Sequence, residues 1–165
     1  MSNQMIDRLV RLYDLPDISN TLAHVSANNI IIRRPRAYEK SQVLDWVKSN
    51  FSVGWTDECD VCFSRMPISM HIATKNSEII GFSCHESTYK NFFGPIGVLD
   101  AYRGLELGKA LLLTSLYAMR DLGYAYAIVG GPTTAADFYR RTVGAIDIDG
   151  STPGIYIDRL KNADS

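Results

Sequence analysis

Arg103, Gly104, Gly108 and Lys109 fall close together in the stretch VLDAYRGLELGKALLL (98–113), between an apolar run and a long apolar-faced segment. Residues of these types at the start of a helix make an anion site. The first helical turn leaves backbone N–H groups unpaired and carries partial positive charge. A phosphate suits such a site, and basic side chains add charge-assisted donors. The residue types therefore predict that 103–109 hold a phosphate-bearing cofactor. G-x-G-x-x-G and the P-loop pattern are both absent, which argues against a Rossmann dinucleotide site or a P-loop nucleotidase.

The elements around this turn follow from periodicity. Phe92–Leu99 is a strand interrupted by Gly94-Pro95, because proline cannot donate to a central ladder. Leu105–Leu122 has a broad apolar helical face and ends at Gly123. Tyr124–Val129 is apolar throughout, as expected of a strand at a sheet's centre. Gly130-Gly131-Pro132 breaks it, Thr133 or Thr134 can cap a helix to about Val143, and Gly144 ends that helix. Met70–Thr74 and Glu78–Glu86 flank the turn residues Lys75, Asn76 and Ser77 as a hairpin. Met5–Leu15 has apolar residues at helical spacing and stops at Pro16, and Asp17–Ala27 reads as a second helical piece. Asn29–Arg33 reads as a strand, and Ala37–Phe51 as a helix. A helix capped by Thr56 follows a break at Gly54-Trp55. Ala145–Ile148 and Ile155–Arg159 read as closing strands. The chain divides into an N-terminal helical extension, 1–28, packed on a core domain, 29–165. One α/β domain with mixed sheet pairing accommodates these elements.

Composition limits the partners. Net charge is −1 over 165 residues, so no bulk field draws nucleic acid or an anionic membrane. No apolar run is long enough for a membrane span, and the first residues lack a signal core. A cytoplasmic location is the default expectation. Cys59 and Cys62 form a C-x-x-C, but with no second pair and no histidine cluster they read as packed thiols on a helix rather than a metal site; no metal is expected. Cys84 reads as core.

The order helix, hairpin, strand, R-G-x-x-x-G-K-A-L-L helix, strand, then Phe138-Tyr139 on a helix followed by Gly144, resembles the GNAT acetyltransferase superfamily across about Asn29–Leu160. Arg103 and Gly108 match the ends of that family's coenzyme A signature Q/R-x-x-G-x-G/A, and AADFYRRTVGA (135–145) is similar to its A-x-x-F-Y-x-x-x-G-F stretch. The resemblance implies a mixed sheet of about six or seven strands splayed around acetyl-CoA, which donates its acyl group to an amine. It places the CoA pyrophosphate on the N–H groups of Leu105, Glu106, Leu107, Gly108 and Lys109, and the pantetheine arm along Ile96, Gly97, Val98 and Leu99. Two positions depart from the pattern. Glu106 stands where the middle glycine would be; a first helical turn has negative φ, so glycine is not expected to be required there. Pro132 stands near an asparagine that contacts pantetheine in many members.

Tyr139 occupies the position that often serves as general acid in the family, although a ring that only packs is the alternative. Candidate bases are Glu86 and His85, which end a strand beside the expected cleft, and Glu58, in the segment that usually shapes the acceptor pocket. His85 alone titrates near neutrality without help. Among Phe51, Trp55, Phe63, Phe92 and Phe93, Trp55 and Phe93 are expected in the acceptor pocket, where an aromatic wall suits an apolar or cationic group. The pairs Arg33-Arg34 and Arg140-Arg141 read as solvated, with Arg140 or Arg141 able to reach the CoA ribose phosphate. The acceptor is a small-molecule or peptide amine. A CoA-binding sensor with little turnover is the alternative function, and the N-terminal segment is a candidate homodimer contact.

Overall fold

The computed structural model describes residues 5–131 and 135–161. Pro132, Thr133 and Thr134 lie outside the described residues. Seven strands, β1 (Arg8–Arg11), β2 (Ile31–Arg33), β3 (Met70–Lys75), β4 (Glu78–His85), β5 (Phe92–Val98), β6 (Tyr126–Val129) and β7 (Ile146–Asp147), form one sheet in the order β2-β3-β4-β5-β6-β1-β7. Five α-helices flank it: α1 (Ser19–Ala27), α2 (Lys40–Asn50), α3 (Val53–Cys62), α4 (Leu107–Asp121) and α5 (Ala136–Val143). Pairing is antiparallel except between β5 and β6. The mixed α/β sheet expected from sequence is thus present.

Two segments correct the sequence reading. Met5–Leu15 is not a helix: it holds β1 and a 3-10 turn, Leu12–Asp14. The fully buried residues are Val10 and Leu12, two apart, which is the strand period rather than the helical one. β1 lies between β6 and β7, and Arg8 reaches across to Asp147 at 3.1 Å. Residues 8–11 are therefore part of the sheet, and of the N-terminal segment only α1 is α-helical. At the other end, Ile155–Arg159 is not a strand; a 3-10 turn covers Gly154–Tyr156.

α4 anchors one face. Leu107, Leu111, Leu112, Leu113 and Leu116 are all at most 1 % exposed, so the helix is apolar around most of its circumference and packs between the sheet and α1. On the other face, α2 and α3 cover Phe82 and Cys84 with Val43, Val47, Cys59 and Cys62. The three thiols are buried, with Cys59 and Cys84 sulfurs 3.6 Å apart, in keeping with packed rather than metal-binding cysteines. Trp46, Phe51, Trp55 and Phe82 stack edge-to-face and face-to-face beside them. Gly97 passes directly beneath this cluster: a Cβ there would lie 2.6 Å from Phe51 and 2.9 Å from Phe82.

β5 opens the sheet. β5 meets β6 only at Phe92↔Ile128 and Phe93↔Val129. Against β4, Ser83 pairs with Ile96 and His85 with Phe93, so β5 carries one extra residue across Gly94-Pro95. Gly94 has φ +114°, and Pro95 has no N–H for a ladder. The Ser87 hydroxyl holds the bulge by donating to the Gly94 carbonyl at 2.9 Å. Beyond Phe93, β5 keeps β4 on one edge and has no strand partner on the other among the described residues.

Candidate active site

The splay between β5 and β6 leads into a cavity of about 740 Å³. The bulge contributes Phe93, Gly94, Pro95 and Ile96; the end of β6 contributes Val129 to Gly131; α3 contributes Trp55 and Glu58; and α5 contributes Tyr139. The volume is in the range of small-molecule sites.

Tyr139 is 7 % exposed, with its ring edge-to-face on Phe93 at 6.1 Å. Its hydroxyl has no hydrogen-bond partner among the described residues. Burial pushes its pKa up to about 12, against the opposing pull of the Arg8 cation. The phenol therefore remains a proton-bearing donor throughout the neutral range.

Of the three candidate bases, only Glu58 lines the cavity, where its Oε1 accepts from the Thr88 hydroxyl. Glu86 lies elsewhere. Its Oε1 accepts from the Asn91 N–H at 2.7 Å and its Oε2 from the Tyr124 hydroxyl at 3.1 Å, so the carboxylate braces the 86–91 loop. His85 is 1 % exposed, faces α4 rather than the cavity, and stacks on His71 at 5.8 Å. Burial, reinforced by Arg34 and Arg65, depresses its pKa to about 4.

Trp55 and Phe93 both line the cavity. Trp55 sits in the first turn of α3, not in a loop: Ser52, rather than Thr56, caps that helix, accepting from the Trp55 N–H at 3.1 Å. The indole stacks on Phe51 at 5.3 Å, which fixes its plane. Sequence reasoning did not find Tyr156 and Arg159, which close the cavity from the C-terminal segment. A Cβ on Gly130 would meet the Tyr156 hydroxyl at 2.9 Å, so the two segments touch there. The misread strand concealed them; a Gly-x-Tyr turn after Pro153 was the available signal.

The turn before α4 lies outside the cavity lining. The first helical backbone bond is Ala110 N–H to Glu106 O at 2.9 Å. The N–H groups of Leu107, Gly108 and Lys109 have no carbonyl partner among the described residues and point out of the helix end. At Gly108 a Cβ would have only Phe138 nearby, at 3.7 Å. The protein itself does not require glycine there. Gly104 has φ +87° and turns the chain into this loop. Arg103 is engaged by Asp100 at 3.0 Å on the surface. Arg140 is held by Asp147 and Asp137, and Arg141 by the Asp137 carbonyl.

Glu106 overturns the conformation expected for it. Its φ is +58° and ψ is +17°, left-handed: it precedes the first helical residue and is free of the helix's negative φ. A non-glycine residue pays about 1–2 kcal/mol in that region, partly offset by the larger unfolded-state entropy of glycine. Glu106→Gly should therefore raise stability by roughly 0.5–1 kcal/mol and also remove an exposed carboxylate beside the amide cluster. Thermal denaturation checks this; a lower Tm would mean that the Glu106 side chain contributes more than its backbone costs.

Among the described residues no three His, Cys, Asp or Glu side chains converge as metal ligands, and no helix is long and apolar enough to cross a membrane. The model of the acetyltransferase (GNAT) family matches residues 40–145. A comparison with curated proteins found no match. Among solved structures, a glucosamine N-acetyltransferase region of a fungal multi-domain β-N-acetylglucosaminidase is similar, with TM-score 0.72 and 17% identity over 90% of this chain and 20% of that one. GCN5-related N-acetyltransferases from Kribbella flavida (TM-score 0.60, 14% identity, 88% of this chain and 55% of that one) and Sphaerobacter thermophilus (TM-score 0.59, 16% identity, 88% and 49%) share the fold. The chain thus spans from a fifth to just over half the length of these neighbours. The family match spans most of the sequence and includes both the α4 turn and Tyr139: the chain belongs to the GNAT acetyltransferase family.

Proposed function

We propose that the protein transfers an acetyl group from acetyl-CoA to a primary amine by direct attack within a ternary complex. Family membership supports acyl transfer as the class of chemistry. The observation that carries the specific reading is the edge of β5 beyond Phe93, unpaired among the described residues, with a cavity lined by Tyr139 at its bulge. The unpaired amides of 107–109 open the helix that follows the same strand.

The diphosphate fits the amides of Leu107, Gly108 and Lys109. The amide-rich pantetheine arm can pair with the free edge at Ile96–Leu99 as an added strand. A backbone N–H near Val98 would polarise the thioester carbonyl. The amine nitrogen forms the new C–N bond as the C–S bond breaks. Glu58, in the same cavity, accepts the proton that the nitrogen sheds, directly or through one water. Tyr139 passes its hydroxyl proton to the departing sulfur, which leaves as the thiol, and the phenolate regains a proton from solvent. The aromatic faces of Trp55 and Phe93 and the Glu58 carboxylate together suit a small cationic acceptor that loses its proton on entry.

Release of free thiol from acetyl-CoA with a panel of primary amines tests the reading. Amine-dependent release supports it. Binding of acetyl-CoA with no release from any amine would instead favour a CoA-binding sensor, a reading to which the Glu106 carboxylate beside the amide cluster lends some weight. Glu58→Gln should lower kcat by about 10²-fold or more, the usual contribution of a positioned base. Steady-state kinetics with the best amine checks it; an unchanged KM and kcat would remove Glu58 from the site.

A further inference from the structure

A second cavity, of about 790 Å³, lies on the α1/α4 face of the sheet and shares no lining residue with the first. Its polar floor is unusual. Arg34 and Arg65 both line it, and neither guanidinium has a carboxylate within ion-pair distance among the described residues. Arg34 donates to the Ile68 carbonyl, and Arg65 uses its Nε on the Glu86 carbonyl at 2.9 Å. Both are only partly exposed, so each guanidinium keeps unused donors in a partly dehydrated site. Sequence reasoning placed Arg34 in solvent; this cavity corrects that.

Between them sit two histidines. His71 Nδ1 is satisfied by Ser115 at 3.2 Å, but His85 Nδ1 is buried with no hydrogen-bond partner. Ser69 Oγ is likewise buried and unpartnered, with only the Cys62 thiol, a weak acceptor, beside it. Buried polar atoms left unpaired cost stability unless a ligand or water completes them. Two carboxylates also line the cavity, Glu86, which accepts from the Asn91 N–H and the Tyr124 hydroxyl, and Asp121, exposed in the last turn of α4; neither is within ion-pair distance of Arg34 or Arg65. Ile18, Leu22, Pro67 and Tyr117 make an apolar collar around this floor.

We propose that this cavity binds a small molecule carrying an oxyanion, carboxylate or phosphate, on an apolar body. The anion lies against Arg34 and Arg65 and accepts from the Ser69 hydroxyl and from the Nδ1–H of the neutral His85 ring, while the apolar body fills the collar. The site is separate from acyl transfer and stands or falls independently of it.

The chain has three histidines, so their ring signals in a carbon–proton NMR spectrum report the site directly. Titration with benzoate, and separately with inorganic phosphate, should move the His71 and His85 signals saturably and leave exposed His24 in place. Benzyl alcohol, with the same ring and no charge, should bind at least about tenfold more weakly than benzoate. Arg34→Gln and Arg65→Gln should each weaken benzoate about tenfold, and Arg65→Lys should retain part of the affinity should the glutamine variants fold poorly. The proposal is overturned by any of three results: no shift at His71 and His85 with either anion, equal shifts at His24, or benzyl alcohol binding as well as benzoate. Phosphate bound only at the α4 turn leaves both buried histidines unmoved and counts against it too.

Discussion

Gly108→Asp should abolish CoA binding while leaving the fold intact or slightly more stable. Gly108 is the second residue of α4, with negative φ, and a new Cβ meets only Phe138 at 3.7 Å. Aspartate in a helix's first turn interacts favourably with the macrodipole, by about 0.3–1 kcal/mol. Nothing in the protein therefore opposes the substitution. A bound diphosphate opposes it strongly: two like charges about 4 Å apart at a partly screened surface repel by about 4 kcal/mol, roughly a thousandfold in affinity. Calorimetry should show that loss together with an unchanged or raised Tm. Retained affinity would place the phosphates elsewhere. The opposite-sign change at Glu106 is the natural companion, since removing that carboxylate should tighten CoA.

Tyr139→Phe should lower kcat by about 10²–10³, within the usual contribution of a positioned acid, and change the KM for acetyl-CoA little. Phenylalanine keeps the ring against Phe93 and Phe138, so the packing of α5 survives and stability changes by no more than about 1 kcal/mol. Only the hydroxyl is removed, and among the described residues it has no partner to leave unpaired. The pH profile gives an independent check. Because burial pushes the phenol up to about 12, its protonated form is the donor at every pH below that value, and it is lost only above it. Activity of the wild type should rise with pH as the acceptor amine loses its proton, with no descending limb below about pH 10. A descending limb near neutrality would mean that a different acid protonates the thiolate.

The site was legible in the sequence where a local pattern forces local geometry. Gly94-Pro95 cannot sit in a regular ladder, and the strand opens there. Gly108 follows a basic turn and opens the long apolar helix, and the amides are unpaired there. Phe138-Tyr139 lies on a strongly amphipathic helix, and Tyr139 faces inward. What escaped was set by pairing between distant residues. The four residues of β1 have no local signature that separates strand from helix; their partners on β6 are more than a hundred positions away. Consecutive residues at the end of β4 also diverge. His85 still follows the strand alternation, under α4, but Glu86 has φ +62° and turns its carboxylate to the loop. Neither reaches the cavity that their position beside the cleft suggested. Glu106 shows a third kind of miss: the residue before a helix need not have helical dihedrals, and this one is left-handed, the conformation for which glycine is the usual choice. Tyr156 and Arg159 reach the cavity through a terminal segment whose path only the folded chain defines.

Calorimetric titration of the wild-type protein with CoA and with pantetheine, which has the arm but no diphosphate, tests the central assignment most directly. CoA should bind at least about 100-fold more tightly, because the amides of Leu107, Gly108 and Lys109 supply the difference. Equal affinity for the two would contradict it.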